Sequence, residues 1–414
     1  MKLLVINIHQ LVNVRKENKL LRGKDLAILP IIQNAYLRIE NGLIIAFGEM
    51  HSLTADDLVS SDIEILDANG ATIMPTWCDS HSHLVFASSR EEEFVDKIKG
   101  VGYAEIAAKG GGILNSANKL NATTEDSLFE LAWQRLVELI HLGTGAIEIK
   151  SGYGLTIEGE LKMLRVIKRL KVKSPIPIKA TFLGAHAFPL FYKENHNGYI
   201  DLIINQMLPS ICKEQLADYI DVFCEDGFFS PSETETICLA GKALGLKPKI
   251  HANQLNLSGG TQVGVKLGAL SVDHLETMDE EAIKSLAGSK TIGTLLPTAA
   301  YFLRMPFQPA RKLIEAGCAI ALASDFNPGS SPSGNMNLVV SMSCIQMKLL
   351  PEEAINAATI NGAYAMELEN ELGSISLGKR ANLIFTNPIP SLAYLPYSFG
   401  SNLIHKVMIN GSFF

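Results

Sequence analysis

The sequence predicts an α/β protein: a TIM (β/α)8 barrel accompanied by a small β-sandwich-like domain built from both termini. Three observations lead there. The middle of the chain alternates strand-like runs with runs of helical periodicity, eight units in about 250 residues, which is the size of such a barrel. Both ends lack that alternation and hold short strand-like runs separated by turns. Polar residues gather at the carboxyl ends of the expected barrel strands, where barrels place their active sites. A doubly wound sheet is the runner-up, but no Gly-x-Gly-x-x-Gly follows the first strand. The 414 residues divide as 1–70 and 369–414 for the β domain and 71–368 for the barrel.

In order, the N-terminal strand-like runs are 3–8, 36–40, 43–47 and 63–68, with Asn41-Gly42 as a hairpin turn between the second and third. The apolar run Ala71-Thr72-Ile73-Met74 leads into Pro75-Thr76-Trp77-Cys78-Asp79-Ser80-His81-Ser82-His83, and 74–83 reads as the first barrel strand. A helix over 125–142 follows, because Phe129, Ala132, Trp133, Leu136, Val137 and Ile140 share one face at helical spacing. Strands are expected at 144–150, 176–185, 219–225, 247–252, 271–274, 291–296 and 319–324. Helices are expected at 157–173, 199–216, 232–244, shortly after Gly259-Gly260, and at 309–316. The C-terminal strands are 381–386 and 406–411.

Composition limits the function classes. With 47% hydrophobic and 19% charged residues the chain has the balance of a globular protein with a large core. The net charge of −7 is spread without blocks, which argues against a nucleic-acid footprint or a polybasic membrane patch. No apolar run approaches the ~18 residues that span a bilayer, and the first apolar run breaks too early for a secretory signal. The six cysteines (78, 212, 224, 238, 318, 344) show no Cys-x-x-Cys spacing and read as reduced core residues. The expectation is a cytoplasmic enzyme with a small-molecule substrate and neither nucleic-acid nor membrane partner.

His81 and His83 stand two residues apart; on a strand they point to one face and make half of a metal site. The plain alternative, one histidine packed and one solvated, carries less weight because other strand ends supply further ligands. Those ends read Glu148-Ile149-Lys150-Ser151-Gly152-Tyr153-Gly154, Gly184-Ala185-His186, Cys224-Glu225-Asp226, His251-Ala252-Asn253-Gln254, Asp273-His274-Leu275-Glu276 and Ser324-Asp325-Phe326-Asn327-Pro328-Gly329-Ser330. Five of the ten histidines (81, 83, 186, 251 and 274) thus fall at strand ends, while His9, His51, His141 and His196 read as solvated. His81, His83, His251 and Asp325 fit an N/O ligand set with an open position for water, whose pKa a metal lowers to ~7. His186 and His274 are preferred as supporting or substrate-contacting groups. Lys150 is expected to pair with Glu148 or a neighbour, in preference to a carbamylated bridge between two metals. Glu225 is a ligand, a base, or a carboxylate that orients a histidine. Arg90, in the first βα loop, offers a bidentate fork to a substrate carboxylate. Tyr153, between two glycines, can reach inward. The backbone N–H groups of Asn327-Pro328-Gly329-Ser330-Ser331 could hold a second carboxylate or a carbonyl. A small anionic substrate hydrolysed at a carbonyl matches these groups.

At these residues the chain resembles the amidohydrolase superfamily and, within it, closely the imidazolonepropionase family. The superfamily part rests on His81-Ser82-His83, His251 and Asp325. The closer part rests on His83-Leu84-Val85-Phe86-Ala87-Ser88-Ser89-Arg90-Glu91, Gly110-Gly111-Gly112-Ile113, Glu148 to Leu155, Phe223-Cys224-Glu225, His251-Ala252-Asn253-Gln254-Leu255 and Asp325 to Ser330. The resemblance implies hydrolysis of 4-imidazolone-5-propanoate to N-formimidoyl-L-glutamate, in histidine degradation, by hydroxide attack on the ring carbonyl. It implies one Zn2+ or Fe3+ per subunit on His81, His83, His251 and Asp325. It implies substrate contacts from Arg90, Tyr153, His186 and Gln254, with Asn327, Gly329 and Ser330 at the product carboxylate, and catalytic work by Asp325, His274 and His186. A homodimer is the assembly common among such relatives. The rival reading is a deaminase of the same superfamily acting on a nucleobase-like ring. Thr76 departs from the superfamily, which usually has Gly after the proline, and Gln254 stands where some relatives carry Glu.

Overall fold

In the computed structural model, which describes residues 2–54, 62–100 and 111–414, both termini build one mixed sheet. Of the run Gly110-Gly111-Gly112-Ile113, Gly110 lies outside the described residues. β1 (Lys2–Val12), β2 (Ile31–Glu40) and β3 (Leu43–Glu49) pair antiparallel. Asn41 (φ 51°) and Gly42 (φ 79°) both take the left-handed region, as the tight hairpin turn between β2 and β3 requires. β4 (Glu64–Asp67) and β5 (Thr72–Pro75) run parallel to β1 along its other edge. The C-terminal β14 (Leu383–Thr386), β15 (Ile404–Ile409) and β16 (Ser412–Phe413) complete the sheet, with β14 antiparallel to β5. Its buried face, including Leu3, Val5, Ile8, Leu37, Ile73, Leu383 and Met408, forms a separate apolar core.

The barrel consists of eight parallel strands in sequence order. They are β6 (Trp77–Asp79), β7 (Thr144–Lys150), β8 (Ile178–Ala185), β9 (Tyr219–Cys224), β10 (Lys247–Ala252), β11 (Ser271–His274), β12 (Ile292–Leu295) and β13 (Ile320–Leu322). Being covered on both faces, they are buried along nearly their whole length.

The first barrel strand differs from expectation. The apolar run before it is β5 and belongs to the terminal sheet; only Trp77–Asp79 enters the barrel. The switch occurs between adjacent peptides: Thr76 N–H donates to Asn382 O (3.1 Å), whereas Trp77 N–H donates to Gly143 O (2.9 Å). Thr76 is accommodated because a glycine faces it. A Cβ on Gly145 would lie 1.9 Å from Thr76 Oγ1.

The helix expected over 199–216 is observed as three consecutive stretches: His196–Leu202, a π-helical Ile203–Met207 and Leu208–Glu214. Pro209, which has no N–H to donate into the preceding turn, accounts for the widening. Helices Glu280–Ala287 and Met336–Met347 carried no clear sequence signal. The first is short, and the second has apolar residues all round rather than in one stripe. Cys78, Cys224, Cys238 and Cys318 are buried, Cys212 and Cys344 half-buried, and all six are free thiols. No helix among the described residues is long and apolar enough to cross a membrane.

Candidate active site

The barrel closes at its carboxyl end, and that seam assembles the site. Past β6 and β13 the chain is joined by Asp325 N–H to His81 O (2.9 Å) and His83 N–H to Phe326 O (2.8 Å). Ser324 adds its N–H (2.9 Å) and Oγ–H (2.5 Å) to the Asp79 carboxylate. These bonds bring Asp325 Oδ1 to 3.4 Å from His81 Nε2 and 3.6 Å from His83 Nε2. Asp325 (φ 52°) and His274 (φ 85°) are both left-handed without being glycine. Such conformations cost of the order of 1–3 kcal/mol each and cluster where side chains must be aimed.

His251 comes from the end of β10, its ring centroid 4.5 Å from that of His81 and 5.5 Å from that of His83. His81 Nδ1 bonds Asp273 Oδ2 (2.7 Å), and His251 Nδ1 bonds Asp221 Oδ2 (2.9 Å). Each carboxylate fixes the proton on Nδ1 and leaves Nε2 with its lone pair bare. Both Nε2 atoms are buried without a hydrogen-bond partner. Burial, and the other cationic groups around them, push His81, His83 and His251 well below the ordinary histidine pKa, so all three are neutral donors. Unpartnered imidazole nitrogens converging on a carboxylate are what a metal ion needs, and His81, His83 and Asp325 present ligand atoms within 4.8 Å of one another. His81, His251 and His274 form a second such group.

Beneath the histidines lies a fully buried charge network. Lys150 Nζ donates to Glu148 Oε1 (2.6 Å) and Asp221 Oδ2 (2.8 Å), and sits 3.5 Å from Asp273 Oδ2. Lys249 Nζ donates to Glu148 and to Ser80 O. Burial alone would drive the proton off Lys150, but Asp221, Glu148 and Asp273 outweigh it and raise the pKa of the ammonium. Lys150 is therefore ion-paired, as expected. Sequence reasoning gave no role to Asp221, Asp273 or Lys249; the available signal was charge inside strands that are otherwise apolar.

Above the histidines opens a cavity of about 620 Å³. Of the residues singled out from sequence, His83, Arg90, Tyr153, His186, His251, Gln254, His274, Asp325, Asn327, Gly329 and Ser330 line it; His81 lies just below, fully buried. Burial lowers His186 to about 4, and its Nδ1 lies 3.1 Å from Gly152 O. It is a neutral ring with Nδ1–H donating and Nε2 accepting. Burial opposes charge on His274 too, but Glu276, 3.4 Å from Nδ1, and Asp325 raise its pKa. Burial pushes the Asp325 carboxyl up to about 7.

Three anchoring carboxylates complete the walls. Glu93 accepts from Arg90 Nε (3.0 Å) and Nη2 (2.5 Å) and from Gly112 N–H (3.0 Å). Arg90 Nη1 then lies where a Cβ on Gly329 would be, 2.3 Å away. Glu160 accepts from the N–H groups of Gly152 (3.1 Å), Gly154 (2.8 Å) and Leu155 (2.9 Å), fixing the turn that carries Tyr153. Glu225 accepts from Leu255 N–H (2.9 Å) and Asn256 Nδ2 (3.2 Å); it holds the loop after Gln254 rather than orienting a histidine. The turn after Asp325 differs from expectation, because the Gly329 and Ser330 N–H groups both donate to Asn327 Oδ1 (2.8 Å each). These two donors brace the turn. His196, expected to be solvated, is half-buried, stacked on Phe188 at 3.7 Å and bonded to Glu233.

The sequence profile of the Amidohydrolase family matches residues 247–413. An imidazolonepropionase from Flavobacterium johnsoniae is 58% identical over 409 residues, 99% of this chain and 98% of that protein. Among solved structures, the guanine deaminase of Escherichia coli superposes with a TM-score of 0.74 at 14% identity, covering 100% of this chain and 99% of that one. An adenosine deaminase from Xanthomonas campestris with bound zinc does so with a TM-score of 0.68 at 16% identity, covering 99% and 92%. At such identities the structures share the fold, whereas the full-length sequence match extends through every strand end of the site: the chain belongs to the imidazolonepropionase family of amidohydrolases.

Proposed function

We propose that this chain hydrolyses the cyclic amide C–N bond of 4-imidazolone-5-propanoate, giving N-formimidoyl-L-glutamate, with one Zn2+ or Fe3+ per subunit held by His81, His83, His251 and Asp325. One observation carries the reading: the bare, buried Nε2 atoms of His81 and His251 converge beside Asp325 at the floor of a cavity whose wall holds Arg90. A metal in that position supplies Lewis acidity, lowering the pKa of a water into the neutral range and polarising the ring carbonyl.

The chain's own residues do the rest. Arg90, anchored through Nε and Nη2 to Glu93, has Nη1 left for the propanoate carboxylate. Asn327, Gly329 and Ser330 shape the wall beside it. Tyr153 and Gln254 position the ring, Tyr153 from a turn that Glu160 holds still. His186, neutral and with Nε2 free to accept, takes a ring N–H. It cannot also donate to a developing oxyanion, so that task falls to His274, whose proton Glu276 favours. Asp325, whose Oδ1 lies 3.4 Å from His81 Nε2 and 3.6 Å from His83 Nε2 at the cavity floor, receives the proton of the attacking water and returns it to the ring nitrogen as the C–N bond breaks. Water adds to the carbonyl carbon and one proton moves to the leaving nitrogen, so the reaction needs no other reactant.

The test is direct. Imidazolone propanoate is generated in situ with urocanase, purified protein is added, and loss of ring absorbance is followed with and without a chelator. Rapid loss that the chelator stops, with formimidoylglutamate as product, supports the reading. No loss in protein carrying stoichiometric metal refutes the substrate and favours a deaminase acting on another ring.

A further inference from the structure

We propose that Lys150 is a positioning residue for the metal site: its ammonium ties together the two carboxylates that orient His81 and His251, and through them it sets the affinity for the ion. This rests on the reading of those two histidines as metal ligands.

The argument is one of shared atoms. Asp221 Oδ2 accepts from His251 Nδ1 (2.9 Å) and from Lys150 Nζ (2.8 Å). Asp273 Oδ2 accepts from His81 Nδ1 (2.7 Å) and lies 3.5 Å from Lys150 Nζ. The path from one imidazole to the other is therefore continuous: His251, Asp221, Lys150, Asp273, His81. It links β10, β9, β11 and the segment just past β6 through one ammonium on β7. Each member is fully or almost fully buried, and no water is needed to complete the path.

Lys150 Nζ also donates to Glu148 Oε1 (2.6 Å), which accepts from Thr181 Oγ1 as well (2.6 Å). The ammonium thus hydrogen-bonds two carboxylates and lies in ion-pair contact with a third, and a planar carbamate would bring its negative charge among all three. The remaining acceptors are also engaged: Asp221 Oδ1 by His251 N–H (3.1 Å) and Asp273 Oδ1 by Ser271 Oγ–H (2.5 Å). The Oδ1 bonds hold one oxygen of each carboxylate, and Lys150 holds the Oδ2 side that faces the histidine. Removing the ammonium leaves two like charges, on the strands either side of β10, without the cation between them, and each histidine's partner oxygen loses one of its holds.

Lys249 provides the control. It is equally buried, belongs to the same network and acts through its charge on both Asp221 and Asp273. Its Nζ, however, donates to Glu148, Ser80 O (2.9 Å) and Ala365 O (3.3 Å) and hydrogen-bonds neither aspartate, so comparing the two lysines separates a direct tie from general charge. Changes to the partners of metal-binding histidines weaken metal affinity by roughly 10–100-fold. Lys150→Met is expected to weaken Zn2+ binding by about that factor, measured on purified full-length protein by competition with a chromophoric chelator. Lys249→Met is expected to change it by about threefold or less. Cobalt-loaded Lys150→Met is also expected to show altered visible bands, because the imidazoles no longer hold their angles. Lys150→Gln, which keeps a donor in the cage, is measured alongside in case the methionine variant does not fold. Wild-type Zn2+ affinity in a folded Lys150 variant, or an equal loss in Lys249→Met, overturns the proposal. So does failure of both Lys150 variants to fold while Lys249→Met folds, since Lys150 would then serve the barrel rather than the ion. Failure of the wild-type protein to bind Zn2+ or Fe3+ overturns instead the ligand assignment on which the proposal rests.

Discussion

Glu160→Gln isolates one carboxylate that never reaches the cavity. Glu160 is fully buried, and its two oxygens serve three backbone N–H groups: Oε1 takes Gly154 and Leu155, Oε2 takes Gly152. Burial raises its pKa against the pull of Ser151 and these N–H groups, so the comparison is made at alkaline pH, which favours the carboxylate. Glutamine can keep one oxygen toward Gly154 and Leu155. Its NH2 then faces the Gly152 N–H, donor against donor. One buried N–H left unmatched costs about 1–3 kcal/mol, and loss of charge weakens the two remaining bonds by up to about 1 kcal/mol each. Relief of the buried charge offsets part of this, leaving a net loss of about 1–4 kcal/mol. The turn carries Tyr153, so the damage also reaches the substrate. If the ring loses one contact worth ~1.4 kcal/mol, KM rises about tenfold while kcat changes less. Urea denaturation followed by circular dichroism reads the first quantity and steady-state kinetics the second. An unchanged denaturation midpoint together with an unchanged KM would refute the reasoning, showing that the turn keeps its shape without the carboxylate.

Other outcomes follow from the same structure. Arg90→Ala is expected to raise KM for the propanoate substrate by roughly 10–100-fold, the loss of a charge-assisted contact, with a smaller effect on kcat; an unchanged KM would remove Arg90 from carboxylate binding. Gly145→Ala would place its Cβ 1.9 Å from Thr76 Oγ1 and is expected to cost about 3 kcal/mol or more, whereas adding Thr76→Gly recovers most of that in a double-mutant cycle; additive losses would contradict the fit. Burial raises Asp79 from 3.8 to about 7 in the folded chain. A raised carboxyl contributes stability that is present below the unfolded pKa and lost as pH rises through about 7. The stability of the wild type relative to Asp79→Asn is therefore expected to fall between pH 4 and pH 8, by an amount on the order of 4 kcal/mol; denaturation midpoints that stay parallel across that range would rule it out.

The histidines and Asp325 could be read in the sequence because chemistry leaves few uses for such residues at the carboxyl ends of barrel strands. The long helices Glu125–His141 and Ile157–Lys173 were legible from periodicity, and the β2–β3 hairpin from Asn41-Gly42. The assignment of Thr72–Pro75 was not. Its four buried residues carry no mark that tells one sheet from the other; only the hydrogen bonds of Thr76 and Trp77 decide it. The anchoring roles of Glu93, Glu160 and Glu225 were hidden for a related reason. Each holds backbone N–H groups, which every sequence supplies, so no partner residue identifies them. The same holds for the Gly329 and Ser330 donors, whose engagement by Asn327 depends on how the turn folds back.

The terminal sheet has a consequence for synthesis. β5 is flanked by β1, which is already made when β5 emerges, and by β14, which lies about 300 residues further along. At roughly 5–20 residues per second, translation leaves that edge of β5 without its partner for about 15–60 s. During that interval its N–H and C=O groups are open to any other extended segment. Chain growth thus exposes this sheet longest at the place where Thr76 hands the polypeptide over to the barrel, and slowed translation or loss of the last strands would be felt there first.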